Sequence, residues 1–336
     1  MSARRIGAHL PLGGGMVKAV DRALEIGATT LQVFSDNPTS WRRRSAPPPE
    51  LPAFRDRLAA AGIAPLAIHA SYLVNLAGPD EAFRERSVAV LAHELRTAAL
   101  YGAAYVNVHV GSHRGAGEAA GLARLGSGIA RVLAEATGGS GEPGAGAGDR
   151  PAASGPPPLL VLENSAGGGD GMGATVEELT RIRGAALDEG AEARRIAFCL
   201  DTAHLWGAGH DLADPAALDH LLEAFDRAIG LDRLVMAHLN DSKAPLGSHL
   251  DRHEHIGAGQ IGAAGLGAFL RHPRLEHLAF YIETPGMDEG WDAVNLARAR
   301  QLSDGLPLDE LPAEALLVRG SRSRRALAKN APRPPG

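Results

Sequence analysis

Along this chain, short apolar runs alternate with longer stretches in which apolar residues recur three and four apart, the signatures of buried strands and amphipathic helices. The strand-like runs occupy residues 5–9 (RIGAH), 30–34 (TLQVF), 65–69 (PLAIH), 105–109 (YVNVH), 159–163 (LLVLE), 196–201 (IAFCLD), 234–239 (LVMAHL) and 278–283 (LAFYIE). Helices are predicted over 16–26, 50–61, 81–100, 118–136, 176–189, 215–229, 263–271 and 289–300, several of them stopping at the glycine expected just past a helix end, as in EIGA and ALYGA. Eight strand–helix units, each helix returning the chain to the start of the next parallel strand, satisfy a (β/α)8 TIM barrel of the α/β class, a single domain over residues 1–305. An open doubly wound sheet uses similar units, so the pattern favours closure without excluding that alternative.

Two segments break the rhythm. Residues 138–158 hold 12 Gly or Pro among 21 positions, too little side chain to pack, and are predicted to form a flexible insertion. Residues 306–336 form a basic tail with Arg319, Arg322, Arg324, Arg325 and Lys329 before a Pro-rich end, and are predicted to be poorly ordered.

With 336 residues, 45% of them apolar, the chain can bury a full-sized core. It has no apolar stretch long enough to span a bilayer, and its N-terminus lacks an apolar signal segment, so a cytoplasmic protein with no membrane partner is expected. The single cysteine, Cys199, lies inside an apolar run; it reads as a buried thiol and excludes an intrachain disulfide or a cysteine-based zinc knuckle. A formal charge of -5 argues against non-specific coating of nucleic acid. It leaves room for a DNA enzyme, because bound divalent cations reverse the charge of an acidic pocket.

The chemistry gathers at the ends of the apolar runs, where His9, His69, His109, Glu163, Asp201, His238 and Glu283 follow or close them. In a barrel these positions converge at the C-terminal face, the usual place of an active site. Four carboxylates there, Glu163, Asp201, Asp251 and Glu283, repel one another unless cations or protons neutralise them. The pairs Asp201 with His204 and Asp251 with His253 add neighbouring donors. Imidazole mixed with carboxylate and no thiolate suits catalytic zinc, although manganese and iron accept many of the same ligands. His9 is expected to hydrogen-bond a ligand or simply to pack, rather than to be a ligand itself.

The motifs IGAH, HASYLVNL (69–76), NVHVGSH (107–113), LENSAG (162–167), CLDTAHLWGAGHD (199–211), HLNDSK (238–243), GSHLDRHEHIGAGQIG (247–262) and YIETPG (281–286) occur in this order along the chain. Together they resemble the endonuclease IV family of apurinic/apyrimidinic endonucleases over nearly all of the first 300 residues outside the insertion. The resemblance implies a monomer with three zinc ions and no other cofactor, with Mn2+ admissible at one site. His69, His109 and Glu163 would hold the first ion; Glu163, Asp201, His238 and Glu283 the second; His204, Asp251 and His253 the third. The implied substrate is double-stranded DNA with an abasic site or a blocked 3′ end. It is cut on the 5′ side of the lesion to leave a 3′-hydroxyl and a 5′-deoxyribose phosphate. Glu163, shared by two ions, and Glu283, placed to position or deprotonate the attacking water, are the implied catalytic carboxylates.

The resemblance also implies DNA contacts. Tyr72 and Leu73 match the residues the family pushes into the minor groove at the lesion, where unstacking is least costly because a base is already missing. Asn37 and Trp41 match a second loop, DNPTSW here, and Lys243 and Arg252 are expected at phosphates. The family commonly has an arginine between that Asn and Trp, where this chain has Thr39. Arg42, Arg43 and Arg44 follow and are candidates for the missing charge, so retained chemistry with altered affinity or lesion preference is expected. Ala70 also departs, since an aspartate often follows the first ligand histidine. The rival reading is a sugar isomerase or epimerase on the same barrel with one or two divalent metals. It needs neither wedges at Tyr72 and Leu73 nor further ligands at His204, Asp251 and His253.

Overall fold

Strand β1 (Arg5–His9) pairs in parallel with β2 (Thr30–Val33) on one side and with the last long strand, β10 (Ala279–Ile282), on the other. That double pairing closes the sheet and rules out the open alternative. The ring runs from β2 through β3 (Leu66–His69), β4 (Tyr105–His109), β5 (Leu159–Glu163), β6 (Ile196–Asp201) and β7 (Leu234–His238) to β10. Its helical jacket comprises α1 (Met16–Glu25), α2 (Leu51–Ala61), α3 (Glu81–Tyr101), α4 (Glu118–Thr137), α5 (Val176–Asp188), α6 (Thr202–Ala208), α7 (Pro215–Ala228), α8 (Gly262–Arg271) and α9 (Trp291–Ser303). This computed structural model describes residues 4–138 and 156–318. Most of the Gly/Pro-rich segment and the basic residues from Arg319 onward lie outside them. Among the described residues no helix is long and apolar enough to cross a membrane.

Strand parity sorts the side chains. Ala67, Val161, Ala197, Cys199, Met236, Ala279 and Tyr281 form one apolar cluster, while their strand neighbours Ile68, Leu160, Leu162, Phe198, Leu200, Phe280 and Ile282 join the larger core with the helices. Alternation along a strand makes the first set the barrel filling and the second its outer wall. Gly7 is required where β1 approaches β2, because a Cβ there would lie 1.8 Å from the Thr30 carbonyl oxygen. Cys199 is buried as expected, and burial pushes its thiol well above the usual range.

Two features of the C-terminal half are absent from the apolar pattern. Directly after β6, Asp201 accepts the His204 N–H and caps α6, so the DTAH run is a helix start rather than a turn. The long connection after β7 carries a small antiparallel hairpin, β8 (Asp241–Ser242) with β9 (His253–Glu254). Residues 306–318, grouped from sequence with the tail, are docked on the barrel. His255 Nε2 lies 2.8 Å from the Ala315 carbonyl, Arg298 donates to the Ile256 and Asp309 carbonyls, and Ala315 and Val318 are buried.

Candidate active site

The inward parity that fills the barrel continues to its C-terminal rim. His69 lies two residues beyond Ala67, Glu163 beyond Val161, Asp201 beyond Cys199, His238 beyond Met236, and Glu283 beyond Tyr281, so each projects into the mouth. Pairing in register sets Glu163 beside Cys199 and Asp201 beside His238 on adjacent strands. The 239–261 connection brings Asp251 and His253 over this rim, and α6 supplies His204. Three sets result whose ligand atoms lie within 4.8 Å of one another: His69, His109 and Glu163; Glu163, Asp201 and His238; and Asp201, His204 and His253. Glu283 reaches within 3.3 Å of His238 Nδ1, while Asp251 lies 3.2 Å from His204 Nε2 and 3.1 Å from His253 Nε2. All nine candidate ligands are therefore gathered at one rim, and Asp201 faces two sets.

Hydrogen bonds fix which imidazole nitrogen faces the carboxylates. Nδ1–H of His69 donates to the Ala70 carbonyl (2.7 Å), that of His204 to the Asn164 carbonyl (2.9 Å), and that of His253 to the Glu283 carbonyl (2.8 Å). Their Nε2 atoms are left as acceptors turned towards Glu163, Asp251 and Asp201. His238 is held the other way round. Gln32 donates to Glu283 Oε1 (2.8 Å) and so presents its carbonyl oxygen to His238 Nε2 (3.1 Å), leaving Nδ1 among Glu163, Glu283 and Asp201. A lone pair aimed at carboxylate oxygens is repulsive unless it takes a proton or donates to a cation. Anchoring the other ring nitrogen in this way is how proteins orient metal-binding histidines.

Four amides complete the arrangement and were not singled out from sequence. Gln32 bridges Glu283 and His238, Asn107 donates to Glu163 Oε2 (2.5 Å), Asn240 donates to Asp201 Oδ2 (2.7 Å), and Asn164 accepts the Asp201 N–H (2.7 Å). An uncharged amide inside or at the end of an apolar run was the available signal, in TLQVF, YVNVH, LENS and HLND. His9 Nδ1 lies 2.9 Å from Glu283 Oε1, so between hydrogen bonding and simple packing it takes the former.

Protons and carboxylates balance each other in this cluster. Burial would lower His238, but Glu283 and Glu163 outweigh it and raise its pKa to about 9; Asp201 and Asp251 overcome burial at His253 to the same effect. His204 is held well above the usual range by Asp201, Asp251 and Glu163 against its burial. Burial disfavours the ionised forms of Glu163, Glu283 and Asp251, yet the imidazoles hold all three well below the usual carboxylate range. His69 differs, lowered to about 4 chiefly by burial. The raised imidazoles contribute stability that is complete below their ordinary value of 6.5 and is lost as pH rises through about 9. The depressed carboxylates contribute stability that is lost as pH falls below their ordinary range. Metal-depleted protein should therefore lose thermal stability between about pH 6.5 and 9, and zinc should remove that decline while releasing protons. Melting curves across this range with and without zinc test it; a metal-depleted protein with a flat alkaline profile would contradict the charge balance described.

The rim encloses a cavity of about 580 Å³ lined by His9, His69, His109, His204, Asp251, His253 and Glu283 together with Phe34, Tyr72 and Met287. Tyr72 stands on it 59% exposed, its ring edge-on to Phe34 at 5.2 Å, and Leu73 is half-buried beside it. Asn37 is exposed, but its Oδ1 is occupied by the Thr39 N–H (3.0 Å) and hydroxyl (2.8 Å). Trp41 packs edge-on against Phe83 of α3 at 4.9 Å and belongs to the scaffold of its loop. The three arginines that follow separate: Arg42 is exposed, Arg43 turns inward to Glu94 (3.3 Å), and Arg44 pairs with Asp36 (3.2 Å). Lys243 is half-buried and Arg252 exposed, joined through their backbones at 2.8 Å. Leu246 and Leu250 are large apolar side chains left exposed on the connection that carries Asp251.

The xylose isomerase-like TIM barrel family matches residues 20–306. A probable endonuclease 4 from Methanoculleus marisnigri is 41% identical over 299 residues, covering 89% of this chain and 98% of its own. The crystal structure of endonuclease IV from Thermus thermophilus superposes with a TM-score of 0.73 at 39% identity, over 90% of this chain and 99% of that one. A 3-keto-D-glucoside 4-epimerase from E. coli, at 13% identity and a TM-score of 0.59 over 89% of this chain and 99% of its own, shares the barrel alone. Identity sustained along almost the whole of both chains goes further than a shared barrel: this chain belongs to the endonuclease IV family, within the xylose isomerase-like TIM barrels.

Proposed function

We propose that the chain is a zinc-dependent DNA-repair endonuclease. It hydrolyses the phosphodiester on the 5′ side of an abasic site, leaving a 3′-hydroxyl and a 5′-deoxyribose phosphate, and it clears blocked 3′ ends. The observation that carries this reading is the set of imidazole lone pairs on His69, His204, His238 and His253, each fixed by a hydrogen bond on the other ring nitrogen and aimed at carboxylates. Mixed nitrogen and oxygen donors without thiolate suit zinc in a catalytic role, with manganese tolerated where carboxylates predominate.

His69, His109 and Glu163 would hold one ion, Glu163, Asp201, His238 and Glu283 a second, and His204, Asp251 and His253 a third. Bound cations would supply a nucleophilic water at neutral pH and offset charge growing on the phosphate and on the leaving 3′-oxygen. The protein's own share is orientation. Glu283, held by Gln32 and His9, is placed to position that water or take its proton, and Asn107 and Asn240 keep Glu163 and Asp201 turned inward. Tyr72 and Leu73 enter the minor groove at the lesion. Asn37, Trp41, Lys243 and Arg252 serve the flanking backbone, Trp41 by shaping its loop, and the enzyme works as a single subunit.

The epimerase reading is disfavoured by Tyr72, whose large exposed ring at the rim has no task in a closed sugar pocket. Incubation with a duplex carrying one abasic site decides between them. A single nick 5′ to the lesion, abolished by chelation and restored by zinc, supports the proposal; an intact duplex under zinc supplementation refutes it.

A further inference from the structure

Two loops without regular structure border the mouth on one side. One follows β2 and carries Asn37 and Arg42; the other follows β3 and carries Tyr72 and Leu73. Beneath them lies a group of buried polar atoms that the metal cluster does not use. Glu94, on the face of α3 turned towards the loops, is 3% exposed, and Arg43 places its guanidinium against it with a side chain only 9% exposed. Arg43 Nη1 donates to the Ser40 carbonyl at 2.8 Å and to the Arg42 carbonyl at 3.1 Å, so the first loop folds around the cation it supplies. The Glu94 carboxyl group accepts the Ser71 N–H at 3.2 Å. Ser71 then closes the circuit, its hydroxyl donating to the Pro38 carbonyl at 2.7 Å while accepting the Leu73 N–H at 3.3 Å.

We infer that Arg43 and Glu94 are positioning residues, a buried strut that joins the Asn37–Arg42 loop to the Tyr72–Leu73 loop so that both meet a DNA duplex as one rigid surface. The inference rests on the endonuclease reading for its consequence in DNA binding, but the strut itself is a property of the free protein. Ordering a loop only when a partner arrives subtracts from affinity, and a loop tied down beforehand avoids that loss. Arginine suits the place because its planar fork can bond loop carbonyls through one nitrogen while resting against the Glu94 carboxyl group, which burial raises to about 8 against the pull of Arg43, with the other. The departure at Thr39 fits the same design. With Thr39 folded onto Asn37 and Arg43 turned to Glu94, Arg42 and the Asp36-paired Arg44 are the exposed guanidinium groups this loop offers to phosphate.

Arg43→Met, Glu94→Ala and Arg43→Lys, made in the full chain, test the strut by two separate readouts. Hydrogen exchange of the free protein should speed up in Arg43→Met at residues 37–42 and 71–73 together, with zinc content unchanged. On an abasic duplex the same variant should raise KM about tenfold and leave kcat within about twofold, because pre-ordering acts on binding rather than on the metals. Arg43→Lys, which keeps the charge but loses the fork, should fall between, and Glu94→Ala, which removes the acceptor of the Ser71 N–H, should loosen the same two segments should Arg43→Met fail to fold. Exchange that rises in the first loop alone, or an unchanged KM in a variant of an active enzyme, overturns the strut. Failure of the unaltered protein to cut abasic DNA would instead count against the functional reading, and the exchange result would still stand on its own.

Discussion

Glu163→Gln should abolish cleavage of an abasic duplex, with kcat falling by at least about 10³-fold, since one electrostatic element aimed at a transition state is already worth about 10²–10³. The expectation follows from position. Glu163 is fully buried at the centre of the rim, with Oε1 3.1 Å from His238 Nδ1 and Oε2 3.9 Å from His109 Nε2 and 4.0 Å from His69 Nε2. It thus belongs to two of the three ligand sets. Glutamine keeps the shape and can still accept from Asn107, so the barrel should fold. What disappears is the anion that offsets both the imidazoliums of the metal-depleted protein and the cations of the loaded one. Bound zinc should fall along with kcat. A variant that retains full zinc and more than about a tenth of the rate would remove Glu163 from the centre of the mechanism.

Tyr72→Ala should lower kcat/KM on an abasic duplex by about 10- to 100-fold, the range expected when an aromatic side chain that stacks with bases is truncated. The ring is exposed at the rim and braced from behind by Phe34 and His69, so it is presented rather than buried. Partial desolvation at the cavity edge, with the Glu283 and Glu163 carboxylates nearby, pushes its phenol up to about 12, so the side chain stays neutral throughout the working range. Removing a phosphate from an already frayed 3′ end needs less wedging, so the same variant should lose less of that activity. Steady-state kinetics on the two substrates measure the difference. Equal losses on both would assign Tyr72 to the metal site instead of to lesion recognition.

The parts of the molecule legible in its sequence are those set by local periodicity. Eight apolar runs became eight barrel strands because continuous burial leaves little room for any other residue type, and an imidazole or carboxylate closing seven of the eight, all but that of β2, marked the site. What stayed hidden depends on partners far apart in the chain. Gln32 reads as an ordinary polar residue in TLQVF until Glu283 and His238, over 200 residues away, are seen on either side of its amide. Three consecutive arginines cannot be told apart by composition; only the positions of Glu94 and Asp36 send Arg43 inward and pair the still exposed Arg44, beside the exposed Arg42. Helix α6 escaped notice because Asp201 is at once the end of an apolar strand and the cap of the helix that follows.

Whether the acidic rim holds several metal ions is read without recourse to activity by metal analysis of the purified protein after exhaustive dialysis. About three zinc ions per chain are expected, falling to about one in Glu163→Gln. A protein that binds a single ion, with the same content in the variant, would contradict that expectation.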